Sequence, residues 1–380
     1  MLICIKANME LLMCESDIKE MLASVDVAID GSRPWDIQVH NNKLYGRVLR
    51  FANLGLGEAY MEGWWDCQAL DQFFCRVLRG GLEKRFRFTL PVLFEILSYM
   101  FRNLQSPERA HMVAVHHYDF GNDVFEAMLD SSMQYSCGFW QGADTLEEAQ
   151  QQKLEMICRK LHLQPGMRVL DLGCGWGGLG SYMARHYGVS VTGVTVSKAQ
   201  VQYARDHSQG LDVRWLLQDY RSLTGTYDRI VSVGMFEHVG HKNYAVYMGT
   251  VRKLLAEDGL FLLHTIGANE PNHSVDPWIE KYIFRNGILP SISLLGKCEE
   301  GRFVMEDWHN FGADYDKTLV CWADNFIKGQ KEGKFECSEV QSRMFLYYLL
   351  SCAGAFRARD LQLWQIVLSP KGVVGGYIRP

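Results

Sequence analysis

The segment Val169–Gly178, VLDLGCGWGG, constrains the fold of this 380-residue chain more than any other. A short β-rich run, Met167–Gly173, leads into it, and a helical pattern, Trp176–His186, leads out. Gly173, Gly175, Gly177 and Gly178 lie between them. Glycine reaches positive φ at no steric cost and lets a ligand approach the backbone. Strand, glycine loop and helix in that order imply a parallel sheet that takes ligands beyond the carboxyl ends of its strands. The alternation continues through Val189–Val196, Lys198–Asp206, Val213–Gln218, Asp228–Val233 and Leu260–Thr265. The expected fold class is therefore α/β, Rossmann-like, with helices on both faces of a mostly parallel sheet.

Gly173, Gly175 and Gly178 also satisfy G-x-G-x-x-G, which dinucleotide enzymes share. The next strand separates the two. A nicotinamide enzyme ends it with an acid for the ribose hydroxyl, whereas GVTVS offers Thr195 and Ser197. Asp171 at the end of the first strand is typical of class I S-adenosylmethionine-dependent methyltransferase loops, and it also suits a loop-ordering carboxylate. Asp219, after the third strand, stands where an acid accepts from an adenine amine or caps a helix.

The length suggests two packed units. Residues 1 to about 110 read mainly as helices, with Leu70–Leu78 one example, and form a smaller helical N-terminal domain. Residues 111–380 form the catalytic domain. A net charge of −5 argues against a nucleic-acid partner. Eleven cysteines include no C-x-x-C pair, so no structural metal site is expected. The longest apolar run, Leu90–Leu104, is interrupted by Glu95 and Arg102 and is too short to span a bilayer. The N-terminus lacks a signal-peptide pattern, so a cytosolic chain with reduced thiols is expected. Arg76, Arg79, Lys84, Arg85 and Arg87, followed by the apolar Phe86–Phe101, suit either a solvated basic turn or an anionic lipid surface.

Four polar residues sit among apolar strands and aromatic loops: Cys137 in MQYSCGFW, Glu237 in MFEHVG, His264 in FLLHTIG and Tyr315 in NFGADYD. Singly, each has an ordinary structural reading: a small buried thiol, a helix cap, a satisfied core histidine, a packed tyrosine. Together they are costly without a partner, because an unpaired buried charge costs several kcal/mol. A polar ligand or a mutual network offsets that cost.

These strings, with GLGEAYMEGWW, HYDFGNDVF, PGMRVLDLGCGWGG, LQDYR, DPWIEKYIFRNG, EDWHNFGADYD and CAGAFRARDLQLWQ, resemble the bacterial cyclopropane-fatty-acyl-phospholipid synthase family from about residue 30 to about residue 370. The resemblance implies transfer of the S-adenosylmethionine methyl group to a cis double bond of a phospholipid acyl chain. A carbocation then loses a proton to bound bicarbonate and closes to a cyclopropane ring. It implies that Cys137, Glu237, His264 and Tyr315 hold the bicarbonate, with the main chain of Ile266 assisting. It assigns cofactor contacts to Tyr135, Ser136, Gly173, Gly175, Thr195, Gln200 and Asp219, to which the loop pattern adds Asp171. Trp140, Phe236, Tyr282 and Tyr315 are expected to line a dry pocket in which aromatic faces stabilise the cation. His117 and Tyr118 are expected at its lipid end. The family also implies a homodimer, peripheral to the inner face of the membrane, with unsaturated phospholipid as its partner. Acyl methylation without ring closure, or a lipid carrier without catalysis, are the competing readings.

Overall fold

The computed structural model describes residues 15–82, 121–271, 276–285 and 287–380. Lys84, Arg85, Arg87, Phe86–Phe101, Leu90–Leu104, His117 and Tyr118 lie outside the described residues.

The described chain opens with α1 (Glu15–Ala23), β1 (Ile37–Val39), α2 (Lys43–Met61), β2 (Trp65–Cys67) and α3 (Leu70–Arg79). After 120 come α4 (Asn122–Met128), α5 (Leu146–Lys160), β3 (Arg168–Leu172), α6 (Gly178–Tyr187), β4 (Ser190–Thr195), α7 (Lys198–His207) and β5 (Val213–Leu217). Then follow β6 (Tyr227–Val233), α8 (Tyr244–Leu254), β7 (Leu255–Ala268), α9 (Pro277–Tyr282) and α10 (Ile292–Glu299). β8 (Val304–Asn310), α11 (Ala313–Lys331), α12 (Glu339–Ala358) and β9 (Leu361–Ser369) complete it.

A single cut near residue 110 does not divide this chain. The smaller unit joins the N-terminal elements to Asp276–Ile283 and Cys337–Asp360, and the larger unit takes the rest. The reason is burial. Leu70 and Phe73 on α3 are buried, and α12 packs on that helix. A methyl group at Gly354 of α12 would lie 2.6 Å from Asp71 O, so the two backbones are in close contact. Arg343 of α12 donates to Trp65 O at 2.9 Å and to Asp66 at 2.7 Å. α9 begins with Pro277 in its first turn, and Asp276 caps it by accepting from Trp278 N and Ile279 N. Pro at that position loses no hydrogen bond, because the first amides have no intrahelical partner. The Trp278 ring covers Gly57 of α2.

The larger unit carries a seven-stranded sheet in the order β5-β4-β3-β6-β7-β9-β8. β3 to β7 pair in parallel, while β9 pairs antiparallel with β7 and β8. Side chains alternate between faces along a strand. Leu170, Ile230 and Phe261 accordingly enter one core with Tyr244 and Tyr247 of α8, while Val169, Val231 and Leu262 enter another with Leu154 and Ile157 of α5. The chain runs outward from β3 to β5 and returns to β6 beside β3. The strand order reverses there, and ligands in such sheets bind at that reversal.

α6 starts at Gly178 rather than Trp176, and β7 extends well beyond the expected Leu260–Thr265. β8 and β9 were not expected, and they give the sheet an antiparallel edge. Among the described residues the cysteines are free thiols. No described helix is long and apolar enough to cross a membrane.

Candidate active site

The glycine loop folds back on β4: Gly173 N and Cys174 N both donate to Val194 O, at 2.9 and 3.0 Å. Gly175 has φ +53°, and a Cβ there would meet nothing within 4 Å. The space above it is open to a ligand. At Gly178 the opposite holds, since a methyl group would lie 1.9 Å from Ser132 O.

Beyond β4 the Thr195 hydroxyl donates to Gln200 Oε1 at 2.8 Å, and both residues are buried. Ser197 caps α7. A hydroxyl–amide pair thus occupies the place of the ribose acid. Asp219 accepts from Arg221 N and pairs with its guanidinium at 2.6 Å. The cap role that the sequence allowed is realised. Asp171 is 1% exposed, and its Oδ2 has no hydrogen-bond partner. Burial pushes its carboxyl up to about 7, against the pull of Lys153.

Tyr135 packs its ring against Phe125 at 5.3 Å and Trp322 at 5.1 Å. Trp322 also meets the Tyr315 ring at 6.0 Å. Phe125 packs on Trp176 of the glycine loop. Tyr135 thus stands between the cofactor loop and α11.

Glu237 follows β6 in a short turn. Its Oε1 accepts from Ile266 N at 2.7 Å, while Oε2 is buried without a hydrogen-bond partner. Burial raises its carboxyl to about 7, an effect that the Ile266 amide and the Thr265 hydroxyl only partly offset. His264 on β7, 1% exposed, takes Gln365 Nε2 of β9 at 3.2 Å on Nδ1. Burial holds the imidazole well below its usual pKa, and it is neutral. In this amide orientation Gln365 donates to Nδ1, so the ring proton sits on Nε2. That nitrogen is buried without a partner.

The Cys137 thiol is fully buried beside Gly138 O and the Thr318 hydroxyl. Burial keeps it protonated. Thr318 also accepts from Trp140 Nε1 at 2.9 Å. Tyr315 lies three residues earlier on α11. An aromatic step links the two sides: Phe139 packs on Phe311, and Phe311 on the His264 ring at 5.7 Å.

Tyr282 belongs to α9 in the smaller unit, where its hydroxyl donates to Glu58 at 3.0 Å. Phe236 stacks on Tyr244 at 4.1 Å inside the core. Sequence reading missed Gln365, Trp322, Thr318 and Lys153. Gln365 and Trp322 lie in elements that were not expected, and a buried lysine leaves no local pattern.

The family model for mycolic acid cyclopropane synthetase matches residues 105–366. The cyclopropane-fatty-acyl-phospholipid synthase of Escherichia coli (strain K12) is 56% identical over 357 residues, covering 94% of this chain and 93% of that protein. The chain belongs to the cyclopropane synthase family. A probable fatty acid methyltransferase of Pseudomonas putida is 38% identical, over 87% of this chain and 86% of that protein. The crystal structure of mycolic acid cyclopropane synthase CmaA1 complexed with SAH and CTAB superposes with a TM-score of 0.62 at 34% identity, covering 68% of this chain and 97% of that one. Members of the cyclopropane synthase family are S-adenosylmethionine-dependent methyltransferases, and the open loop at Gly175 fits that cofactor class.

Proposed function

We propose that the protein transfers the methyl carbon of S-adenosylmethionine to the cis double bond of an unsaturated phospholipid acyl chain and closes it to a cyclopropane ring. The observation that carries this reading is the pair of buried, unpartnered atoms Glu237 Oε2 and His264 Nε2 near the strand reversal. A small oxyanion with donors and acceptors together, such as bicarbonate, suits this pair with the Cys137 thiol and the Tyr315 hydroxyl. When bound, bicarbonate supplies the base for the proton loss that closes the ring.

The chain's own groups do the rest. The alkene is a weak nucleophile, so alignment with the sulfonium methyl matters most. The open loop at Gly175, the Thr195–Gln200 pair, Asp219 and the Tyr135–Ser136 strip would hold the cofactor. One C–C bond forms as the C–S bond breaks, leaving S-adenosylhomocysteine. Ring closure then replaces a C–H bond of the new methyl group by a C–C bond. Ile266 N–H is engaged by Glu237, so the main chain there orients the carboxylate. His264 is oriented by Gln365 in the same way. Trp140 and Tyr315 offer aromatic faces to positive charge.

The family resemblance further supports a homodimer bound peripherally to the cytoplasmic face of the membrane. Arg76 and Arg79, in the last turn of α3, are the described part of the basic stretch. Sedimentation and vesicle flotation test these two points.

The direct test incubates the protein with cis-unsaturated phospholipid vesicles, S-adenosylmethionine and bicarbonate, then examines the acyl chains by mass spectrometry and proton NMR. The expected product gains CH₂, loses its olefinic signals and shows cyclopropane signals. A methyl branch or a methylene group instead rejects ring closure. Glu237→Gln and His264→Ala should each lower ring formation at least about a hundredfold, with S-adenosylhomocysteine affinity nearly unchanged. Full activity in both variants rejects the site.

A further inference from the structure

Lys153 is fully buried, yet it serves no step of the reaction proposed above. It lies on α5, three residues after Gln150, and both are 0% exposed. Residues three apart share one helix face. That face meets residues 130–136, the strip that carries Tyr135 and Ser136. Lys153 Nζ donates to Gln134 Oε1 and to Ser136 Oγ, each at 2.8 Å. Gln150 Nε2 donates to Ser136 O at 2.8 Å. Asp130 closes the other end by accepting from Gln134 N at 2.9 Å.

An ammonium has three protons, and these two bonds use two. Asp171 at the end of β3 lies on the sheet face that α5 covers. Its Oδ2 is buried without a hydrogen-bond partner; burial lowers the Lys153 ammonium to about 8 and raises the Asp171 carboxyl to about 7, shifts that the opposite charges only partly offset. Lys153 is therefore a buried cation held by the strip, on the sheet face that also carries Asp171. The same strip touches the loop from the other side: a methyl group at Gly178 would lie 2.5 Å from Gln134 Nε2.

We infer that Lys153 is a positioning residue for the cofactor, its buried ammonium holding the Gln134–Ser136 strip in place against the glycine loop at Gly178. A buried charge costs desolvation free energy, which a purely structural position would avoid with a leucine or methionine. The inference rests on the cofactor site as read above, so the unmodified protein is the first control. Isothermal titration with S-adenosylhomocysteine should show binding, and absence of binding there rejects the site itself rather than the role of Lys153.

With binding established, Lys153→Met is measured by the same titration and by steady-state kinetics on phospholipid vesicles. Loss of an orienting partner typically costs about tenfold or more in ligand affinity. The expected result is that loss for S-adenosylhomocysteine and a matching rise in KM for S-adenosylmethionine. KM for the phospholipid should stay unchanged, and kcat at saturating cofactor should be largely kept. A merely structural lysine would lower the active fraction, and so kcat, without moving the cofactor KM. That pattern overturns the inference, as does unchanged affinity. If Lys153→Met does not fold, Gln134→Met carries the test, because it keeps the ammonium and removes one acceptor. Weakened cofactor binding supports the inference, and unchanged binding overturns it.

Discussion

Gly175 and Gly178 stand three residues apart and should fail differently when changed. Gly175 has a left-handed φ and open space where a side chain would stand. The Cβ of Gly175→Val meets no atom within 4 Å, but a β-branched residue resists positive φ and its side chain enters the cofactor's approach. Gly178→Ala meets the Ser132 carbonyl, so the strip and α6 must move apart. Gly178→Ala is expected to lower Tm in the absence of ligand, and Gly175→Val chiefly to abolish S-adenosylhomocysteine binding, as thermal melts with and without that ligand would show. Glu299, at the end of α10, carries a separate prediction. It is 4% exposed, both its carboxylate oxygens are buried without hydrogen-bond partners, and burial pushes it up to about 7. The folded state then keeps a proton that the unfolded chain releases near pH 4.5. Its stabilising contribution is complete below that pH and is lost as pH rises through about 7. Glu299→Gln has no such proton, so its Tm should fall less than that of the unmodified protein between pH 4.5 and 8. Parallel slopes for the two proteins would reject this assignment.

At the scale of elements, one substitution in two helices should give opposite signs. Gly296 lies inside α10 with nothing within 4 Å of an added methyl group. Gly296→Ala is expected to stabilise by about 0.4–1 kcal/mol, by restricting the unfolded chain and favouring helix. Gly354 lies inside α12 against the Asp71 carbonyl. Gly354→Ala must separate α12 from α3 and should cost about 1–3 kcal/mol. Urea unfolding of the two variants checks both signs. The elements that were legible in the sequence are those with local signals. β3, β4, β5 and β6 are apolar or β-branched runs beside glycine turns, and they lie within one or two residues of expectation. β8 was not legible because VMEDWHN is half polar and edge-exposed, and its pairing with β9 joins segments about 60 residues apart. Glu237 and His264 could be singled out because charge in an apolar run is anomalous. Gln365 could not, since an amide in LQLWQ acquires meaning only when β9 brings it beside His264.

On the scale of the whole molecule, the resemblance reached the α/β unit, its cofactor class and its family, but not the path of the chain between units. Sequence reading places a boundary near residue 110, where the mainly helical N-terminal stretch ends. Contacts place Asp276–Ile283 and Cys337–Asp360 with the N-terminal elements, and no local pattern announces partners 223 and 283 residues away. That interleaving has a consequence for synthesis. The ribosome delivers α1 to α3 first and α12 almost last, so the first unit to emerge is among the last to be completed. Until α12 emerges, the side of α3 on which Phe74 meets Tyr347 is without its cover. A stop codon shortly after residue 336 would remove α12 and β9 together, leaving one unit without its covering helix and the other without the strand that joins β7 to β8.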